Sequence, residues 1–162
     1  MKEITDEKKK NKHGFKGLNK KIPCRDSTDR NLQIRIFEFC DFFKSCRDIS
    51  EPVSARLWFN LASNLALFEW GKLEYELLVG EYERGFWNLL KGLPPRIKRE
   101  ILTDNKSIPS FEEAAEHSKE KGEKSCSEIR QDGFVCPEPC QYYAKSPANL
   151  VLRIIGREKK SK

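Results

Sequence analysis

The sequence predicts an all-α protein: a small helical bundle followed by a C-terminal motif rich in cysteine. Three observations carry this expectation. Ile36, Phe39, Cys40, Phe43 and Cys46 recur at i, i+3, i+4, i+7 and i+10, one apolar stripe on a helix. Leu57, Trp58, Leu61, Leu65 and Phe68 form a second such stripe. No stretch alternates apolar and polar residues convincingly, apart from Val151 to Ile155.

The elements follow in chain order. Residues 1–28 read as a basic flexible arm, with Lys8, Lys9, Lys10, Lys12, Lys16, Lys20 and Lys21 among few apolar anchors. A helical bundle is expected over 29–122. Its first helix spans about 29–47, with Phe37 and Phe42 beside the stripe. A second spans about 51–69, with Ser50 as cap, Pro52 in the first turn and Trp70-Gly71 as its end. A third, about 72–79, offers Leu73, Leu77 and Leu78 to the core, and Gly80 and Gly85 weaken its continuation. Gly92-Leu93-Pro94-Pro95 is a break, with a short helix over 95–102 after it. Ser110 to Glu113 is a capping box for a helix ending near Lys121, where Gly122 stops it. A cysteine motif over 123–156 is expected to pack on the bundle, and 157–162 form a basic tail. Val151 to Ile155 could be a strand, or a helix started by Ser146-Pro147.

Composition excludes several classes. Of 162 residues, 38% are hydrophobic, too many for a wholly disordered chain. The 9 glycines and 8 prolines show no period, which excludes a collagen-like repeat. No run approaches a membrane span, and the N-terminal lysines have no apolar stretch behind them, so a membrane or secreted location is not expected. A cytoplasmic protein is. The net charge of +6 favours an acidic partner.

The 6 cysteines carry the most chemistry. Cys126, Cys136 and Cys140 lie as Cys-x9-Cys-x3-Cys, with Gly133, Pro137 and Pro139 shaping the loop between them. Thiolates on a bent loop can grip one tetrahedral ion, and zinc prefers four ligands. A fourth must come from Cys40, Cys46, Cys24 or His117; Cys40 is the candidate carried forward. Two other readings stand beside this one. The even count allows disulfides, and a cysteine on an apolar helix face can simply pack. Catalysis has little to build on. His13 and His117 support no triad, no phosphate-binding glycine loop is present, and the carboxylates alternate with lysines as on a solvated face. The chain reads as a binding module, not an enzyme on its own.

Phe39-Cys40-Asp41-Phe42-Phe43-Lys44-Ser45-Cys46-Arg47-Asp48 leads into Ser50-Glu51-Pro52 and then Leu57-Trp58-Phe59-Asn60-Leu61-Ala62-Ser63-Asn64-Leu65-Ala66. Later come Ser125-Cys126-Ser127-Glu128-Ile129, Gly133-Phe134-Val135-Cys136-Pro137, Cys140 and Lys145-Ser146-Pro147-Ala148. In this order, over roughly 39–152, they resemble the region between the polymerising and helicase domains of primase and primase–helicase proteins from phages, plasmids and integrated elements. The resemblance implies a helical bundle that assists primer synthesis by binding single-stranded template DNA and a nucleotide such as ATP. It implies, as partners, a primase catalytic domain and a helicase. It extends to Trp58, Asn64, Cys126, Cys136 and Cys140. Lys124-Ser125 stand where a metal-ligand pair such as His and Cys would be expected before Cys126. The chain has no Asp-x-Asp pair and no Walker loop, so neither catalytic activity is carried over.

Single-stranded DNA is held by cations along its backbone and by aromatic rings against its bases. The candidates are Lys91, Arg96, Lys98 and Arg99 around the double proline, Lys145 and Arg153 near the C-terminus, and Tyr142 and Tyr143 for stacking, with Trp87 as a further ring. The second functional expectation is a linker or protein-interaction domain joining a primase to a helicase without strong DNA binding.

Overall fold

The computed structural model describes residues 21–48, 53–104, 108–137, 140 and 144–161. The described residues form nine helices and no strand. The stretch expected as one helix over 29–47 is three: α1 (Ser27–Ile34), α2 (Ile36–Phe39) and α3 (Asp41–Arg47). The break has a packing reason. Ile36, Phe37, Phe42 and Phe43 are all at most 2% exposed, yet on one straight helix they would point to nearly every side. Cys40 adopts an extended conformation, φ −105° and ψ 111°, and the turn there lets both pairs enter one core. Phe43 then meets Phe37 edge-on at 5.2 Å and Phe42 at 6.0 Å.

The second helix, α4 (Ala55–Leu65), begins later than the pattern suggested, with Ser54 Oγ accepting from Leu57 N–H at 3.3 Å. Ser50 and Pro52 lie outside the described residues. α4 is the central helix and packs against α3 and three helices that follow it in the chain. Trp58, Leu61 and Leu65 are buried as expected, and so are Asn60, Ser63 and Asn64.

Trp70 and Gly71 begin the next helix instead of ending the previous one. A Cβ on Gly71 would overlap the Leu65 carbonyl oxygen, so the tight return after α4 requires glycine. From there α5 (Gly71–Lys91) runs unbroken through Gly80 and Gly85. Its buried face also differs from expectation. Leu73 and Leu77 are 55% and 52% exposed, while Tyr75, Leu78 and Tyr82 face the core. The Trp58 ring decides this: it stands edge-on to Tyr75 at 5.9 Å and to Tyr82 at 5.2 Å, two turns of α5 apart.

α6 (Pro95–Asp104) follows the proline break. α7 (Phe111–Lys121) starts where expected, with Ser110 Oγ accepting from Glu113 N–H, and ends at Gly122 with φ +82°. A second N-terminal signal, not anticipated, opens α8 (Cys126–Gln131): Ser125 and Glu128 cap one another's backbone N–H groups reciprocally. The ambiguous stretch at Val151 to Ile155 is helical, inside α9 (Pro147–Lys160), which takes in most of the expected basic tail. α9 packs on α1, α2 and α4. Part of the expected N-terminal arm belongs to the core as well. Ile22 is 3% exposed and its N–H donates to Leu67 O at 2.8 Å. Gln33, fully buried, donates to Pro23 O at 2.6 Å and accepts from Trp70 Nε1 at 2.9 Å. No helix among the described residues is long and apolar enough to cross a membrane.

Candidate metal centre and its surroundings

A polar seam on α4 holds the C-terminal segment in place. Asn64 Nδ2 donates to Lys124 O at 3.0 Å, and Asn64 Oδ1 accepts from Ala148 N–H at 3.0 Å. One side chain thus binds the chain just before Cys126 and the first turn of α9. Ser63 Oγ accepts from Lys124 N–H at 3.1 Å, and Asn60 Nδ2 donates to Asp132 Oδ2 at 2.9 Å. On the far side, Ser118 Oγ of α7 donates to Ser63 O at 2.6 Å. The two ends of the cysteine segment are also tied to each other. Cys126 N–H donates to Lys145 O at 2.9 Å, and Ser146 Oγ donates to buried Glu123 at 2.8 Å while accepting from Asn149 N–H at 3.1 Å. Each buried polar group here would cost free energy if left unmatched.

This framework brings together the four cysteines expected as ligands. Cys40, Cys126, Cys136 and Cys140 line one cavity of about 290 Å³, together with Asp41 and Leu150. The other fourth-ligand candidates are elsewhere: Cys46 is buried in the aromatic core, and His117 stands edge-on to Phe59 at 5.3 Å. Cys24 is not on the cavity wall either. All six cysteines are free thiols. Among the described residues, no three His, Cys, Asp or Glu side chains stand close enough to hold an ion as they are placed. Cys40 and Cys126 are partly buried, and Cys136 and Cys140 are exposed on the loop after Gly133, whose φ is +108°.

The sulfurs feel one another. Burial pushes the Cys40 thiol up to about 12, with Cys126 and Cys136 adding to the shift. Burial, then Cys136 and Cys140, raise Cys126 to about 11. Cys136 is raised by burial, by Asp41 and by Cys140. Arg130 acts in the opposite direction on both Cys126 and Cys136. Four negative thiolates would therefore be costly here without a cation among them.

The nucleic-acid candidates fall in two stretches. Lys91 ends α5, with Nζ at 3.5 Å from Asn88 Oδ1. Arg96 and Arg99 are exposed on α6, and Lys98 is half-buried. Lys145 and Arg153 are exposed; Lys145 precedes the cavity residue Ser146 in the chain, and Arg153 lies one turn beyond the cavity residue Leu150 on α9. Tyr142 and Tyr143 lie outside the described residues, as does the side chain of Trp87. Sequence reasoning missed exposed Arg130, whose charge acts on Cys126 and Cys136, and the roles of Asn60 and Ser63. The signal for the last two was present, as polar residues one turn from Asn64 (Asn60) and next to it (Ser63) in a largely apolar stretch of helix. Comparison with protein-family models, curated proteins and solved structures returns no match.

Proposed function

We propose that the chain is a non-catalytic accessory module of a DNA primase that binds single-stranded template DNA, together with a nucleotide such as ATP, to assist primer synthesis. The observation that supports this reading is that exposed Arg130, Lys145 and Arg153 lie on α8, the stretch before α9 and α9 itself, the parts of the chain that the α4 seam holds. Cations on a rigid frame can follow a phosphate backbone without reading sequence. The resemblance to primase proteins supplies the biological setting, with a primase catalytic domain and a helicase as partners.

The test is a fluorescence titration with a labelled single-stranded oligonucleotide at several salt concentrations. Binding should weaken as salt rises, with a log–log slope of about −0.7 for each phosphate neutralised. The double variant Lys145→Gln, Arg153→Gln should bind several-fold more weakly and with a shallower slope. Absence of saturable binding at micromolar protein would reject this function. It would favour the linker reading, which draws on the exposed Leu73 and Leu77 side by side on α5.

A further inference from the structure

We infer that Cys40, Cys126, Cys136 and Cys140 bind one zinc ion as a tetrathiolate, with Cys40 as the fourth ligand that the local cysteine motif lacks. This site is separate from the nucleic-acid reading and does not depend on it.

The first argument is convergence. Four of the six cysteines line a single cavity although they come from the α2–α3 break, the start of α8 and the loop beyond it. Simple apolar packing accounts for Cys46, which is buried among phenylalanines, but not for Cys136 and Cys140, which are exposed.

The second argument is the division between fixed and adjustable ligands. Cys40 N–H donates to Ile36 O at 2.9 Å and Cys40 O accepts from Lys44 N–H at 2.9 Å, so two helices clamp this residue. Cys126 is the first residue of capped α8, and its N–H is bound to Lys145 O. Cys136 and Cys140 sit on a short exposed segment entered through a glycine with positive φ.

The third argument is chemical. An all-sulfur set in a tetrahedral arrangement suits zinc, which has no geometric preference of its own and no redox step to support. On binding, each ligating thiol gives its proton to solvent, and the ion neutralises half of the resulting charge of minus four.

The experiment uses the full chain purified under reducing conditions without chelator. Elemental analysis should find one zinc per chain. Replacing it with cobalt(II) should give the intense visible bands of a tetrahedral thiolate complex. Cys40→Ser should weaken metal binding, measured by competition with a chromogenic chelator, at least about 100-fold. Cys24→Ser and Cys46→Ala should keep one ion per chain. If Cys40→Ser loses its helical circular dichroism, Cys140→Ser on the exposed loop gives the same reading with little demand on the core. Three results would overturn the proposal: no zinc with six titratable thiols, an iron–sulfur chromophore in place of zinc, or disulfides among these four cysteines in the native protein. An unchanged cobalt spectrum in folded Cys40→Ser would overturn the assignment of the fourth ligand.

Discussion

Asn64→Ala should be among the most damaging substitutions of a polar residue in this protein. The amide is fully buried on α4. Its Nδ2 donates to Lys124 O and its Oδ1 accepts from Ala148 N–H, both at 3.0 Å. It also donates to Asn60 O at 3.0 Å, but that carbonyl keeps Ser63 Oγ at 2.9 Å. Two backbone groups are therefore left without their partner. Each costs about 1–3 kcal/mol when stranded away from water. Alanine recovers at most about 0.7 kcal/mol through helix propensity. The net expectation is a loss of about 1.3–5.3 kcal/mol, or a Tm lower by roughly 7–13 °C at the middle of that range for a chain of this size. Urea denaturation followed by circular dichroism measures it, with hydrogen exchange at the Ala148 amide as the local probe. Ser118→Ala is the internal control. It strands one backbone group, Ser63 O, instead of two, and should cost about 1–3 kcal/mol, roughly half the gross loss at Asn64. If Asn64→Ala loses less than about 1 kcal/mol, or ranks below Ser118→Ala, the seam on α4 does not fasten the cysteine segment and the reasoning fails.

Two glycines of α5 should respond with opposite sign. Gly71→Ala collides with the Leu65 carbonyl and should lose more than about 2 kcal/mol, whereas Gly80→Ala meets nothing within 4 Å and should gain about 0.5–1 kcal/mol, both read by urea denaturation. Cys46, buried and pushed up to about 12 by that burial, should resist alkylation at pH 8 in the native protein and react only on unfolding, as mass spectrometry of the digested protein would show. His117 is held below its ordinary value by burial and by Lys124 and Lys121, against Glu128 and Glu120. Because the unfolded chain then binds its proton more readily, stability should fall as pH drops from about 7 through the folded value, and His117→Gln should flatten that slope in denaturation curves between roughly pH 7 and 5.

The helical class and the caps at Ser110 and Gly122 were legible because each rests on local spacing. What was not legible rests on partners distant in sequence. Nothing near Leu73, Leu77 or Tyr75 says which of them faces inward; the Trp58 ring from another helix does. The break at Cys40 depends on two aromatic pairs having to share one core, a demand invisible to a periodicity of 3.6. The capping pair Ser125 and Glu128 is a local Ser-x-x-Glu spacing of the kind that marks a helix start. Cys40 and Cys46 both lie on the stripe read as one helix face, and the structure separates them: Cys40 lines the cavity with Cys126, Cys136 and Cys140, while Cys46 is buried in the core.

The α4 seam also bears on the order in which a ribosome delivers this molecule. Asn60, Ser63 and Asn64 emerge long before Asp132, Lys124 and Ala148, the groups that match them. Until then the nascent bundle carries a polar stripe that only water satisfies, and closing the long intervening stretch of chain is entropically slow. Completion of the C-terminal quarter is therefore what matches these groups, and a chain truncated before residue 123 is expected to be less stable than the whole, as urea denaturation would show.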